Sequence, residues 1–289
     1  MTNRILVTGG AGNIGSELVR RLRARNADFA VMTSRPGGAP AGVAEQVGDF
    51  LDPASLRQAF AGVDTLFLLF PLAPDMPRMA ANAVAAAKAA GVKHIVRSSG
   101  AGADAGSEAA IARVHGEIDA LVSASGIPFT LLLPSSFMQN LVTVYASAIR
   151  SGALYAPRGD GAVAVIDVRD IADVAAEVLA NPAAHAGRSY TLTGPENLTD
   201  AQMVSAIARE IGRDVRYIDI PEQAAQDAMT NMGMPPKVIE WLMSLNHVIK
   251  QGWAAGVSPM VEEIAGHPPR NFADFVRENA SAWSDGDAE

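Results

Sequence analysis

The sequence contains no cysteine. That absence excludes disulfides, thiol nucleophiles, Cys-ligated zinc and iron–sulfur clusters together, and it fits a reducing compartment. Histidine is scarce. His94, His115, His185, His247 and His267 are scattered and none forms an H-x₃-H pair, which argues against a His-based metal site. There is no apolar run of about 18 residues, so no membrane span is expected. Residues 1–8 begin a strand pattern rather than a charged-then-apolar leader, and the chain reads as cytoplasmic. Positive charge is also short: 23 Lys+Arg face 31 Asp+Glu, a net charge of −8. Broad nucleic-acid or anionic-membrane binding needs clustered cations, so both are excluded as expectations. What is present is ordinary globular material: 289 residues, 49% apolar and 19% charged, enough for one large domain or two small ones.

The first half alternates short apolar or β-branched runs with helical patterns. Strands are predicted at Arg4–Val7, Phe29–Thr33, near Val47, at Thr65–Leu69, His94–Arg97 and Phe129–Leu133, the last stopped by Pro134. Helices are predicted at Asn13–Arg25, from Pro53 with Asp52 as N-cap, from Pro77 to Ala90 with Gly91 as terminator, and at Ala109–Ser123. Strand and helix repeating at this spacing predict right-handed βαβ units and a parallel sheet covered on both faces. The second half is less regular. It reads as a helix over Ser136–Arg150, a turn-rich crossing over Gly152–Gly161, and a strand Val163–Val168 feeding helix Asp170–Ala180, with Asp170 as its cap. A strand Ser189–Thr193, a helix Asp200–Ile211 capped by Thr199, a strand Val215–Ile220 and helices within 222–250 follow. The tail from Trp283 onward reads as frayed. No internal repeat and no flexible interdomain linker are visible.

Directly after the first strand stands Thr8-Gly9-Gly10-Ala11-Gly12-Asn13-Ile14-Gly15. Gly10, Gly12 and Gly15 satisfy G-x-G-x-x-G, and Gly9, Gly12 and Gly15 satisfy G-x-x-G-x-x-G. The early glycines allow a tight turn, Gly12 lets the backbone approach a pyrophosphate, and Gly15 permits close helix–strand packing. The helix that follows offers free N–H groups and the positive end of its dipole to phosphates. The position of this turn, after a strand and before an amphipathic helix, is the context the pattern requires. The fold class expected is therefore α/β: a Rossmann-type doubly wound parallel sheet with a smaller C-terminal α/β substrate region. Residues 1–134 form the dinucleotide-binding part and 135–289 the substrate side, with segments such as 163–180 returning to the sheet.

An NAD site usually places an acid at the end of the second strand. Here that slot reads Met32-Thr33-Ser34-Arg35 and holds no Asp or Glu. Arg35 can grip a 2′-phosphate bidentately and Thr33 and Ser34 can donate to it, so NADP(H) is expected over NAD(H). Gly48-Asp49 follows the third strand, where such folds contact adenine; Asp49 could equally cap a turn.

The glycine turn, Arg35, Gly48-Asp49, the Ala-rich helix before Gly91-Val92-Lys93-His94-Ile95 and Ser98-Ser99 together resemble the NmrA-like atypical short-chain dehydrogenase/reductase family. Within it, the chain is most similar to the bacterial NAD(P)H:quinone oxidoreductase and triphenylmethane reductase group. His115-Gly116-Glu117, Ser125 to Leu131, Phe137-Met138-Gln139-Asn140 and Asp167 to Ala172 extend the resemblance over nearly the whole chain. It implies an N-terminal NADP-binding domain, a smaller C-terminal part closing a substrate cleft, and hydride transfer to quinones, dyes or related acceptors in some members. Other members bind the dinucleotide as regulators. The implied partner is a small apolar or aromatic molecule. A homodimer is one option for assembly that the sequence does not select.

Short-chain dehydrogenases typically carry Tyr-x₃-Lys. Tyr145, Tyr155, Tyr190 and Tyr217 are followed four residues later by Ile149, Gly159, Gly194 and Pro221, so the pair is absent. This also argues against a nucleotide-sugar epimerase. A lysine that some relatives carry five positions after His115 is Ala120 here. The helix with core stripe Ile111, Val114, Ile118, Leu121 and Val122 puts His115 at its edge, where it can serve as proton donor to a reduced acceptor; a surface or structural histidine is the alternative. Ser98 and Ser99 sit at a strand's carboxyl end, where α/β ligands bind, or else cap a helix. Phe70 and Pro71 are placed along the cofactor, or in core and turn. Phe137, Met138 and Asn140 are placed on the substrate side, with core packing the alternative for the first two. Met229, Met232, Met234, Met243 and Trp241 either wall a pliable pocket or pack helices.

Overall fold

The computed structural model describes residues 3–284. The order of elements is β1 (Ile5–Val7), α1 (Asn13–Ala24), β2 (Phe29–Thr33), β3 (Ala44–Val47), α2 (Pro53–Ala59), β4 (Thr65–Leu68), α3 (Met76–Ala90), β5 (His94–Ser98), α4 (Ala110–Ser123), β6 (Phe129–Pro134), α5 (Asn140–Thr143), α6 (Ala146–Arg150), β7 (Ala153–Ala156) and β8 (Ala162–Val163). It continues with α7 (Val168–Ala180), β9 (Arg188–Leu192), β10 (Leu198–Thr199), α8 (Asp200–Ile211), β11 (Arg216–Asp219), α9 (Glu222–Asn231), α10 (Pro236–Lys250), α11 (Met260–Ala265) and α12 (Phe272–Glu278).

The chain divides into two compact units. The first comprises Met1–Glu108, Ala112–Pro134 and Val168–Thr191. Its sheet has the order β3-β2-β1-β4-β5-β6-β9, and the pairs from β3 through β6 are all parallel. The strand order reverses between β1 and β4, the point at which open α/β sheets bind ligands beyond their carboxyl ends. Burial explains the composition of the strands. Every residue of β1, β4 and β5 is buried, as expected for parallel strands with helices on both faces. Helix α1 buries Ile14, Leu18 and Leu22 and packs against α7, while Arg21 pairs with Asp173 and Arg25 with Glu177. The predicted helix ends are local chemistry. The Asp52 carboxylate accepts from the Ala54 N–H at 2.9 Å, and Gly91 closes α3 at φ +74°.

The second unit comprises Ala109–Ile111, Ser135–Asp167 and Leu192–Glu289. It holds two small sheets, β10 antiparallel to β8 and β11 parallel to β7. Its core gathers Leu141, Ile149, Leu154, Val163, Ile207, Phe272, Phe275 and Trp283. Thr199 caps α8 through a capping box with Gln202, at 3.1 and 2.9 Å.

Several local predictions are corrected, most of them in this unit. The single helix expected over Ser136–Arg150 is two short ones. Phe137 instead bridges Ile166 in parallel, and Met138 donates its N–H to the Ile166 carbonyl at 2.9 Å, so the first residues pair with a strand-like segment. The crossing at Gly152–Gly161 contains β7, and of the expected strand Val163–Val168 only Val163 lies in a ladder, β8, with Ile166 in an isolated bridge. Asp170 does not cap α7; the helix begins at Val168 and Asp170 lies buried inside its first turn. Leu121 is 37% exposed and falls off the core stripe of α4. Trp283 is not frayed: it is fully buried and its indole N–H donates to the Leu141 carbonyl at 2.8 Å. Residues 285–289 of that tail lie outside the described residues. No helix among the described residues is long and apolar enough to cross a membrane.

Candidate functional site

Parallel pairing places the ends of β1, β2, β3, β4 and β5 at one edge of the first unit's sheet. Gly9 through Gly15, Thr33 to Arg35, Asp49, Phe70, Pro71, Ser98 and Ser99 all follow or end those strands, so the fold brings them to that edge.

The glycine turn is dictated by space. Gly9 has φ +69°, a conformation that L side chains rarely adopt. A Cβ on Gly10 would lie 2.5 Å from Val31 Cγ1, and one on Gly15 would be driven into the Gly9 carbonyl. Gly12 is different. It is exposed, and an added Cβ would meet only the Gly9 oxygen, at 3.4 Å. Gly12 is also the N-cap of α1, with no side-chain cap and no acidic residue in the first turn. The opening N–H groups of Asn13, Ile14 and Gly15 are therefore available to an anion. Thr8 contributes otherwise than expected. It is fully buried, its hydroxyl lies 3.0 and 3.1 Å from the Phe67 and Leu69 carbonyls, and it accepts from the Leu69 N–H at 2.8 Å. Its side chain ties the turn to β4 and has no capacity left for a ligand.

After β2, Ser34 and Arg35 are exposed, and Arg35 makes no ion pair among the described residues. The Thr33 hydroxyl is 2.9 Å from Glu45 Oε1 and 3.0 Å from the Arg35 carbonyl, so it shapes the loop. Asp49 is exposed and its Oδ1 accepts from the Leu51 N–H at 2.8 Å, a turn-capping role. Phe70 is buried and tilts against Phe50 with ring centroids 4.8 Å apart; Pro71 is exposed. An uncapped helix start, an exposed Gly12 and an exposed Arg35 with no ion pair among the described residues form a surface that fits a phosphorylated dinucleotide; the one carboxylate at the β2 end, Glu45, is carried by β3 and turned onto the loop.

The end of β5 carries a buried charge cluster. Arg97 is fully buried, and its Nη1 donates to Asp119 Oδ1. Ser99 donates to Asp119 Oδ2 at 2.6 Å. Ser99 thus caps no helix; its hydroxyl holds a carboxylate. Ser98 is buried and its hydroxyl has no partner among the described residues. Arg97 Nη2 faces His115 Nδ1 at 3.3 Å. A guanidinium has only donors, so Nδ1 must accept and the ring proton sits on Nε2. Burial, and then the Arg97 charge, pull the His115 pKa down to about 4. His115 is therefore a neutral imidazole at neutral pH, suited to donate a hydrogen bond and poorly suited to deliver a full proton. Burial also pushes Asp119 up and Arg97 down, each opposed by the partner's charge.

Two glycines shape the histidine's surroundings. A Cβ on Gly100 would sit 3.4 Å from His115 Cδ2, so the chain passes close along the ring. A Cβ on Gly116 would collide with the backbone of Asp104 and Ala105, which explains the glycine beside His115. Arg97 was not singled out by pattern, yet a signal existed: a lone arginine inside the apolar strand His94-Ile95-Val96-Arg97-Ser98 must find a buried anion.

The three residues expected on the substrate side lie in the second unit. Phe137 and Asn140 are half-buried. Met138 is fully buried in that unit's core, so core packing is its role. Trp241 is likewise fully buried, while Met232 is 67% exposed.

The chain aligns at 41% identity with the NAD(P)H azoreductase of Xenophilus azovorans, over 96% of this chain and 99% of that one. Among solved structures it is similar to an NADPH-dependent quinone oxidoreductase from Escherichia coli complexed with NADPH, at 27% identity and TM-score 0.85, covering 95% and 99% of the two chains. It is also similar to the Citrobacter sp. triphenylmethane reductase complexed with NADP(H), at 26% identity and TM-score 0.83, covering 96% and 99%. A model of the NmrA-like family matches residues 1–265. With its glycine turn, its sheet order and that match in agreement, the chain belongs to the NmrA-like family.

Proposed function

We propose that this chain is an NADPH-dependent reductase that passes a hydride to a quinone or a similar conjugated, planar acceptor. One observation carries the reading: the uncapped start of α1 lies at the sheet's switch point, and the exposed Arg35 after β2 has no anionic partner among the described residues. Relatives whose names join NAD(P)H to azo, quinone and triphenylmethane substrates support it, because those acceptors share an extended π system.

The residues divide the work by chemistry. Gly9, Gly10, Gly12, Asn13, Ile14 and Gly15 would hold the pyrophosphate through backbone N–H groups. Ser34 and Arg35 would take the 2′-phosphate, with Thr33 shaping their loop. Asp49, Phe70 and Pro71 would border the adenine side, and Ser98, Ser99 and His115 the nicotinamide side. Bound NADPH supplies the hydride. His115 keeps its proton on Nε2 because Arg97 faces Nδ1, so its contribution is a fixed hydrogen bond to the oxyanion that grows on the acceptor. The acceptor's second hydrogen then comes from water. Phe137 and Asn140 remain the candidates for substrate contact in the second unit, residues 135–289 being the substrate side. The acidic net charge of −8 favours a small-molecule partner over a nucleic-acid or anionic-membrane one.

The test is NADPH oxidation across a panel of quinones, azo dyes and triphenylmethane dyes. Turnover with at least one class is expected. Tight NADP binding without turnover on any of them would overturn the reductase reading in favour of a regulatory dinucleotide binder.

A further inference from the structure

We infer that Glu45 is a specificity-positioning residue, whose carboxylate shapes the loop after β2 and leaves Arg35 free to meet a 2′-phosphate. This rests on the reading of that loop as the phosphate end of an NADPH site.

The observations concern one side chain. Glu45 stands on β3, across the ladder from Val31 of β2. Its Oε2 accepts from the Gly37 N–H at 2.9 Å. Its Oε1 accepts from the Gly38 N–H at 2.8 Å and the Ala39 N–H at 3.0 Å, and the Thr33 hydroxyl lies 2.9 Å from the same oxygen. Successive backbone N–H groups converging on one anion form a nest. The loop's own residues suit it. Gly37 has φ +79°, and a Cβ on Gly38 would press on the Thr33 side chain at 3.2 Å. The nest is filled internally, by a carboxylate carried on the neighbouring strand.

Two consequences follow from the electrostatics. A carboxylate near a phosphate site ordinarily repels it, and a carboxylate near an arginine ordinarily neutralises it. Glu45 avoids the second effect, because its oxygens are directed at the loop N–H groups and not at Arg35. The loop amides also cannot collapse onto another anion, so Ser34 and Arg35 are presented from a fixed backbone. Hydrogen bonds from Gly37, then Thr33, hold the Glu45 carboxyl below the usual range, which keeps the clamp charged at working pH. Selectivity is thus divided: Arg35 supplies charge and Glu45 supplies its placement.

The experiment compares wild type with Glu45→Ala, Glu45→Gln and Arg35→Ala. NADPH and NADH binding are read by nicotinamide fluorescence. The fragments 2′,5′-ADP and 5′-AMP are read by calorimetry, which reports the 2′-phosphate without any turnover. Glu45→Ala is expected to weaken NADPH and 2′,5′-ADP about tenfold, the scale of one charge-assisted contact, and to change NADH and 5′-AMP less than about twofold. Glu45→Gln, which keeps one acceptor oxygen, should fall between and serves if the alanine variant does not fold. Unchanged or tighter 2′,5′-ADP binding in both Glu45 variants, with Arg35→Ala still weakening it, would overturn the role of Glu45 and leave the cofactor reading intact. A wild type that binds 2′,5′-ADP no better than 5′-AMP would overturn both.

Discussion

Arg97 in the first unit is fully buried and Arg158 in the second largely buried, each beside an aspartate, and the two clusters are built in different ways. Arg97 depends on a single carboxylate whose two oxygens are both used, Oδ1 by Arg97 and Oδ2 by Ser99. Its remaining reach goes to His115, and its Nε finds no partner among the described residues. Arg158 is spread over neutral groups. Its Nε donates to Asn246 at 2.8 Å and its Nη2 to the Tyr145 hydroxyl at 3.3 Å, while Asp200 accepts from Nη1 at 3.3 Å. Asp200 Oδ2 is buried without a partner among the described residues. Burial works against the Arg158 charge, but Tyr145, Asp200 and Tyr217 hold its pKa up, whereas burial wins at Arg97. The difference separates architecture from chemistry. Arg158 ties together α8, α10 and the segment around Tyr145, whereas Arg97 sets the protonation of a histidine at the candidate site.

The same substitution in each cluster should expose that difference most strongly. Asp119→Asn leaves the Arg97 charge buried and uncompensated, and is expected to cost about 3–5 kcal/mol of stability. Asp200→Asn also takes a carboxylate from a largely buried arginine, but Arg158 is less deeply buried and keeps its neutral partners, so the expected cost is smaller, about 1–3 kcal/mol. Paired denaturant melts measure both, and equal losses would erase the distinction.

Next in size is the acid limb of stability. His115 and His94 both have pKa values lowered from 6.5 to about 4, by burial first. Protonation therefore favours the unfolded chain. Each histidine's contribution is complete above pH 6.5 and is lost as pH falls toward 4, by up to about 3 kcal/mol for His115 and less for His94. His115→Gln should flatten its share of that limb in melting temperature against pH. An unchanged limb would contradict a neutral, Arg97-facing imidazole.

In catalysis, His115→Gln is expected to lower kcat about 10²-fold with KM little changed, the magnitude for one hydrogen-bond donor to an oxyanion. Activity of the wild type should stay level from pH 6 to 8, since His115 does not titrate there. A kcat unaffected by the substitution would return His115 to a structural role. The smallest effect is expected at the surface: Arg25→Ala breaks the exposed pair with Glu177 and should cost under about 1 kcal/mol.

Much of the first unit was legible in the sequence because its signals are local. The strand, Gly9 to Gly15 and an amphipathic helix are consecutive, as are Asp52 with Pro53, and Thr199 with Asp200 at the start of α8. The missing acid after β2 pointed to Arg35 by simple position. The second unit was less legible because its rules are long-range. Phe137 is drawn from a helical pattern by Ile166, and β7 is a strand because β11, some sixty residues on, pairs with it. Thr8 and Ser99 carried the right residue types, but their hydroxyls are consumed by Phe67, Leu69 and Asp119.

The sequence by itself determined the parallel α/β plan, the phosphate-accepting turn and the absence of thiol or Tyr-x₃-Lys chemistry, since each depends on neighbours within a few residues or on composition alone. Only the tertiary structure decided which polar side chains are still free to act. Arg97, Asp119, Ser99 and His115 come from β5 and α4, and folding spends the carboxylate on the guanidinium and the guanidinium on Nδ1. Among the described residues, that leaves the Nε2–H of one neutral imidazole and the Ser98 hydroxyl open to chemistry, because hydrogen-bonding capacity is finite.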